Sequence, residues 1–309
     1  MRIVVRGRTL RTVLVAICAV GMLAATSGQA LARSSKAANS GINTHTPVTA
    51  GSTYLALGDS VTFGYKEPQV LPTPNYQVAS NFLGYPELLG SELHLNVVNS
   101  ACPGETSASF IHTTAPSNGC ESSPAGPGGY RTASPLHESY KGPQLAFATS
   151  WLLHHPNVRL VSLMIGANDF FVCQETTTDK CMSPTELGGV IASVTKNVTT
   201  ILSTIRNKGH YKGQLAIVNY YSLDYSDPVT TAQSELLNQV QDNAAAPFHV
   251  VIADGFGELQ AAAVDSGGNT CTAGLLTQLH GVAAPCGIHP SYAGQSLLAQ
   301  ALEKVIHLG

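Results

Sequence analysis

Five short apolar runs, each closed by small or turn-forming residues, constrain this chain more than any other feature. The strongest is Val158-Arg159-Leu160-Val161-Ser162-Leu163-Met164-Ile165, followed directly by Gly166-Ala167-Asn168-Asp169. The others are Tyr54 to Leu57, Leu95 to Asn99, Leu215 to Asn219 and Val250 to Ala253. All have the length and composition of strands. Between them lie helical stretches. Gln144 to His155 stops at Pro156, and Pro184 to Arg206 starts behind Ser183 as N-cap with proline at its first position. Thr230 to Ala245, Phe256 to Val264 and Ser291 to His307 follow, and Val78 to Leu93 has a helical spacing interrupted by Gly84 and Pro86. Strands alternating with helices predict an α/β fold, a three-layer sandwich with a five-stranded parallel sheet and helices on both faces. No internal repeat or second core is evident, so residues 53–309 are expected to form a single domain.

The residues ahead of that domain read differently. Arg2, Arg6, Arg8 and Arg11 precede the apolar run Val13 to Leu23, and Ala30-Leu31-Ala32 supplies a small-residue cleavage site. Residues 1–32 are therefore read as a secretory signal peptide, cut before Arg33. The apolar run is too short for a bilayer span. Residues 33–52, rich in Ser, Ala, Thr and Gly, are read as a flexible lead-in. The mature chain is expected outside the cell, without stable membrane insertion and as a monomer. A net charge of -3 over 309 residues, with 11% charged side chains, gives no reason to expect a nucleic-acid partner.

Six cysteines follow the leader: Cys102, Cys120, Cys173, Cys181, Cys271 and Cys286. An even number in an exported chain argues for disulfides, and six allow about fifteen connectivities in principle. The spacing groups them as neighbours, Cys102–Cys120, Cys173–Cys181 and Cys271–Cys286, each closing a short loop. Zinc would be the competing use, but no C-x-x-C pair occurs, and no metal or other cofactor is expected.

Three strand ends carry residues suited to chemistry. Gly58-Asp59-Ser60 puts a hydroxyl at a strand-to-turn transition, where open α/β sheets bind ligands. The strand ending at Asn99 runs into Cys102-Pro103-Gly104-Glu105-Thr106, whose glycine permits close approach of backbone to a ligand. The third is Ile165-Gly166-Ala167-Asn168-Asp169, and Ile288-His289-Pro290-Ser291 lies just before the last helix. This ordered set resembles the SGNH (GDSL) hydrolase superfamily from Tyr54 to the end of the chain. Within it, the blocks look like a branch of secreted bacterial lipases and esterases with three sequential disulfides.

The resemblance implies a flavodoxin-like fold and hydrolysis of carboxylic esters. Ser60 would be the nucleophile and His289 the base, then the acid. The backbone N–H groups of Ser60 and Gly104, with the Asn168 amide, would form the oxyanion hole. Asp59 and Asp169 would support these turns. The chain departs from the pattern at one place. Where the superfamily has Asp three residues before the histidine, or two in some of this branch, Cys286 and Gly287 stand instead. The expectation is therefore a Ser60–His289 dyad, its imidazole oriented by a backbone carbonyl within residues 284–288, with Asp254 and Asp265 as weaker candidates.

The substrate would be a small-molecule or lipid ester, with acylated glycan as an alternative that makes the protein a polysaccharide deacetylase. A non-catalytic secreted carbohydrate- or lipid-binding protein on the same fold is the reading from a different class, motivated by the absent acid. Phe63, Tyr65, Tyr220 and Tyr221 are candidates for an acyl pocket, and the Gly-, Pro- and Ser-rich stretch from Cys120 to Gly142 for a lid or substrate wall. The chain has no G-x-S-x-G, P-loop, G-x-G-x-x-G or H-E-x-x-H, which removes support for nucleophile-elbow, nucleotide and zinc-protease readings.

Overall fold

The computed structural model describes residues 46–123 and 126–309. The expected signal peptide and most of the lead-in lie outside the described residues. The part of the lead-in that is described is docked rather than free: Val48 is buried and bridges in parallel to Leu308, its N–H donating to His307 O at 2.9 Å.

In chain order the elements are β1 (Thr53–Gly58), α1 (Ser60–Phe63), α2 (Tyr85–Glu92), β2 (Asn96–Asn99), the two-residue pair β3 (Ser122–Ser123) and β4 (Gly126–Pro127), and α3 (Tyr130–Ala133). Then come α4 (Gln144–His154), β5 (Val158–Met164), α5 (Ala167–Thr176), α6 (Pro184–Asn207) and β6 (Gln214–Val218). The last are α7 (Pro228–Ala245), β7 (Val250–Ala253), α8 (Gly255–Ala263), β8 (Leu276–Gln278), β9 (Cys286–Pro290) and α9 (Tyr292–Glu303).

The five apolar runs form one parallel sheet in the order β2-β1-β5-β6-β7. Tyr54 is flanked by Val97 and Leu160, and Leu57 by Leu163. The central strands are buried on both faces, hence their continuous rather than alternating apolar character. Right-handed crossovers place α2 and α4 on opposite faces, because the path from β1 to β2 runs one way and the path from β2 to β5 the other. α2, α8 and α9 pack together, as do α4, α6 and α7. Each fully buried leucine, such as Leu55, Leu160 or Leu202, contributes about 1.5–3 kcal/mol relative to exposure.

The strand order reverses between β1 and β5, so the crevice at their carboxyl ends is the natural ligand site. Ser60 follows β1 and Asn168 follows β5, which puts both at that crevice. Three local expectations change. The stretch 78–93 is helical only over Tyr85–Glu92, because Gly84 and Pro86 set the start, and Glu87 caps the Gly84 N–H at 2.9 Å. Asn168 sits in the first turn of α5, where a turn alone was expected. His289 lies on β9, paired antiparallel with β8, in a segment outside the five expected strands.

All three disulfides form with the spacing-derived pairing. The stretch 120–142 is pinned by Arg131, which donates to Glu121 Oε1, Gly142 O and Tyr140 O.

Candidate active site

Ser60 opens α1, whose N-cap Asp59 accepts the Val61 N–H at 3.0 Å. The preceding turn is fixed from outside by Gln144. Its Oε1 accepts the Gly58 N–H at 2.7 Å and its Nε2 donates to Gly58 O at 3.0 Å, while also reaching Glu105 Oε2 at 3.2 Å. One buried amide thus ties the Ser60 turn to the Gly104 segment.

Residues 229 positions apart meet here: His289 Nε2 lies 2.9 Å from Ser60 Oγ. The other ring nitrogen corrects the expectation of a backbone carbonyl. Nδ1 lies 2.8 Å from Glu67 Oε1, a carboxylate from the proline-rich loop after α1. The Ile288 N–H at 2.8 Å and the His289 N–H at 3.3 Å also donate to that oxygen, and Thr277 Oγ1 donates to Oε2 at 2.5 Å. Burial pushes the Glu67 carboxyl up, but the hydrogen bond and charge of His289, with Thr277, outweigh it and hold the group at about 2. Glu67 is therefore ionised at neutral pH and fixes Nδ1 as the protonated nitrogen, leaving Nε2 to accept from Ser60. Asp254 caps α8 instead, through the Gly257 N–H at 3.0 Å, and Asp265 lies in the short turn after that helix. Tyr65 packs edge-on against the imidazole, centroids 4.9 Å apart.

The oxyanion-hole candidates converge on the same spot. Among the described residues, the N–H groups of Ser60 and Gly104 have no acceptor. Gly104 has φ +80°, and a Cβ there would lie 2.4 Å from Asn118 O, so the loop needs glycine. Asn168 Nδ2 donates to Asp59 Oδ2 at 3.3 Å, and its Oδ1 accepts from Asn118 Nδ2 at 2.9 Å. These partners set the amide's orientation and leave one N–H for a ligand. Tyr220 O–H donates to the same Asp59 oxygen. Burial raises Asp59 to about 6 against the opposing pull of Tyr220 and the Val61 N–H. Asp169 accepts from Ser107 N at 2.8 Å and Ser107 Oγ at 2.6 Å, so it braces the segment carrying Gly104.

Two recesses meet over Ser60. One, of about 480 Å³, is lined by apolar residues of α5 and α7 and includes Tyr220 and Tyr221. The other, of about 230 Å³, is lined by Tyr65, Gly104, Asn118 and Tyr130. Phe63, also expected in the acyl pocket, turns away into a satellite core with Phe82 and Ala101. Cys102, Glu105 and Cys120 group their ligand-type atoms, but the two sulfurs are bonded to each other and offer no thiolate to a metal.

Sequence reasoning missed Glu67, Asn118, Gln144 and the position of Tyr220 against Asp59. None stands in a motif, and Glu67 follows a helix of four residues in a loop without period.

A family model described as GDSL-like Lipase/Acylhydrolase family matches residues 56–297. No curated protein matches the chain. Among solved structures, a phospholipase A1 from Streptomyces albidoflavus NA297 superposes with a TM-score of 0.52 at 17% identity, covering 82% of this chain and 99% of that one. Axe2, an acetylxylan esterase from Geobacillus stearothermophilus, gives 0.50 at 16% identity over 83% and 94%. At these identities the likeness concerns the fold.

Proposed function

The chain belongs to the GDSL-like lipase/acylhydrolase family, and on that premise we propose that it is a secreted serine esterase with a Ser60–His289–Glu67 triad. The observation that carries the reading is the continuous line from Glu67 Oε1 through the imidazole to Ser60 Oγ, at 2.8 and 2.9 Å.

Ser60 Oγ attacks the ester carbonyl while His289 Nε2 takes its proton, and Glu67 stabilises the imidazolium and keeps the ring in register. Charge developing on the carbonyl oxygen is met by the Ser60 and Gly104 N–H groups and the Asn168 amide. His289 then protonates the departing alkoxide, and water, deprotonated by the same nitrogen, releases the acid from the acyl-enzyme. No step calls for a metal or cofactor. The non-catalytic reading was motivated by an imidazole without an acid; Glu67 removes that motive. Export is supported by three disulfides and by the basic-apolar leader, and among the described residues no helix is long and apolar enough to cross a membrane.

The test is turnover of a chromogenic acyl ester together with labelling by an organophosphonate. Wild type should turn over and label at Ser60, and Ser60→Ala should do neither. Equal activity in the two proteins, or absence of both signals in wild type, would overturn the proposal.

A further inference from the structure

The recess of about 480 Å³ is walled mainly by apolar side chains. It leaves Ser60 and His289 and runs between α5 and α7. Phe170 and Phe171 come from α5, Leu236 from α7, and Leu223 from the segment before α7. Met182 and Val229 also line it, and although apolar they are 64% and 55% exposed, so the apolar lining continues to the rim. An open recess with mainly apolar walls and a few convergent polar groups at one end, here those around Ser60 and His289, has the form of a ligand site.

The wall carrying Met182 is built with some care. Lys180 and Cys181 are consecutive non-glycine residues with φ of +56° and +63°. Such residues hold left-handed conformations only when their surroundings over-determine them. Here the Cys173–Cys181 bond and the Cys181 N–H donating to Thr177 Oγ1 at 2.7 Å do so, and Met182 follows at the mouth.

The smaller recess shares Ser60, Asn168, Ile288 and His289 with the first, and beyond them presents Asn118 and Gly119 together with the rings of Tyr65 and Tyr130. The two halves thus differ in chemistry across one nucleophile. Resting on the esterase reading, we propose that the α5–α7 cleft is an acyl subsite for a long unbranched fatty acyl chain, and that the alcohol half of the ester lies in the recess over Asn118. An acetyl group would leave the cleft facing water, whereas each further buried methylene favours binding by about fourfold.

Two readouts keep this proposal separate from the reading it rests on. In Ser60→Ala, which lacks the nucleophile, cis-parinaric acid should bind saturably, and adding Leu236→Trp should weaken that binding by about tenfold or more. In the wild-type background, kcat/KM for p-nitrophenyl decanoate should exceed that for the acetate by about tenfold or more, and Leu236→Trp should bring the ratio down by a similar factor. Val229→Trp, at the exposed rim, is the second variant should Leu236→Trp fail to fold by circular dichroism. Fatty-acid binding without any ester turnover by wild type would overturn the esterase reading alone. Turnover that prefers the acetate, with no fatty-acid binding, would overturn the acyl subsite alone. Unchanged binding and an unchanged ratio in a folded plugged variant would overturn its location between α5 and α7.

Discussion

The Glu67 carboxylate fills the space that a side chain at Gly287 would need: a Cβ there would lie 1.9 Å from Glu67 Oε1. Position 287 is two residues before the catalytic-candidate histidine, one of the places where the resembled branch carries its acid. Here that place is empty of side chain, and the carboxylate that meets the imidazole comes from 222 positions upstream in sequence.

On the proposed triad, that exchange should be reversible by mutation. Glu67→Ala should lower kcat/KM by about 10²- to 10⁴-fold, the range expected when an imidazole loses its orienting carboxylate. Gly287→Asp alone should also be inactive, because it collides with Glu67. Glu67→Ala combined with Gly287→Asp should recover at least part of the activity, measured with a chromogenic ester. A double variant no better than Glu67→Ala would show that the two positions are not interchangeable.

Asn118 should matter to the transition state through the groups it positions. Its amide orients Asn168, and its main chain pairs with Gly104, with the Asn118 N–H donating to Gly104 O at 2.7 Å. Asn118→Ala is expected to reduce kcat by about tenfold, less than the 10²- to 10³-fold typical of losing a direct oxyanion donor, the role proposed for Asn168. Reduction of Cys102–Cys120, which closes the loop holding both Gly104 and Asn118, should act in the same direction. Steady-state kinetics on the variant and on the reduced protein check both.

Glu105 predicts a specific pH dependence of stability. It is buried beside Gly104, and burial raises its carboxyl to about 7 in spite of hydrogen bonds from Ser109 and Gln144. The folded state therefore holds this proton more tightly than the unfolded chain does. The stabilising contribution is fully present below the ordinary value of 4.5 and is lost as pH rises through about 7. Glu87, also raised to about 7 by burial, works in the same sense. Melting temperatures across that window should fall with rising pH in wild type and fall less in Glu105→Gln.

Arg206 should prove structural. Its guanidinium has no carboxylate partner among the described residues and donates instead to the carbonyls of Tyr211, Gly213, Phe248 and His249. Burial lowers it to about 10, still charged at neutral pH. Arg206→Met strips four carbonyls of their donor and is expected to destabilise by about 2–4 kcal/mol in chemical denaturation. Activity per folded molecule should not change.

The sheet was legible because each of its strands is a continuous apolar run with a turn behind it, and Ser60, Gly104 and Asn168 were legible because they stand at those turns. His289 could be found from its block but not its setting, since β8 and β9 are too short and irregular to show alternation. Glu67 left no local trace: nothing in Lys66-Glu67-Pro68 says that the loop folds back onto β9. The misplacement of Phe63 has a similar origin. One turn of α1 decides whether that ring faces the cleft or Phe82, and four residues carry no periodic signal. What remained hidden are pairings between loops, which depend on tertiary approach rather than on composition.

The bridge between Val48 and Leu308 has a topological consequence. The first and last described segments run side by side at the amino-terminal end of β6, where Gln214 donates to Thr46 O and His307 O, and the Gly309 N–H donates to Val48 O at 3.2 Å. A short peptide could join them with little loss of loop entropy. The domain is thus suited to circular permutation, with new ends opened in a surface loop and the join kept well away from Ser60 and His289.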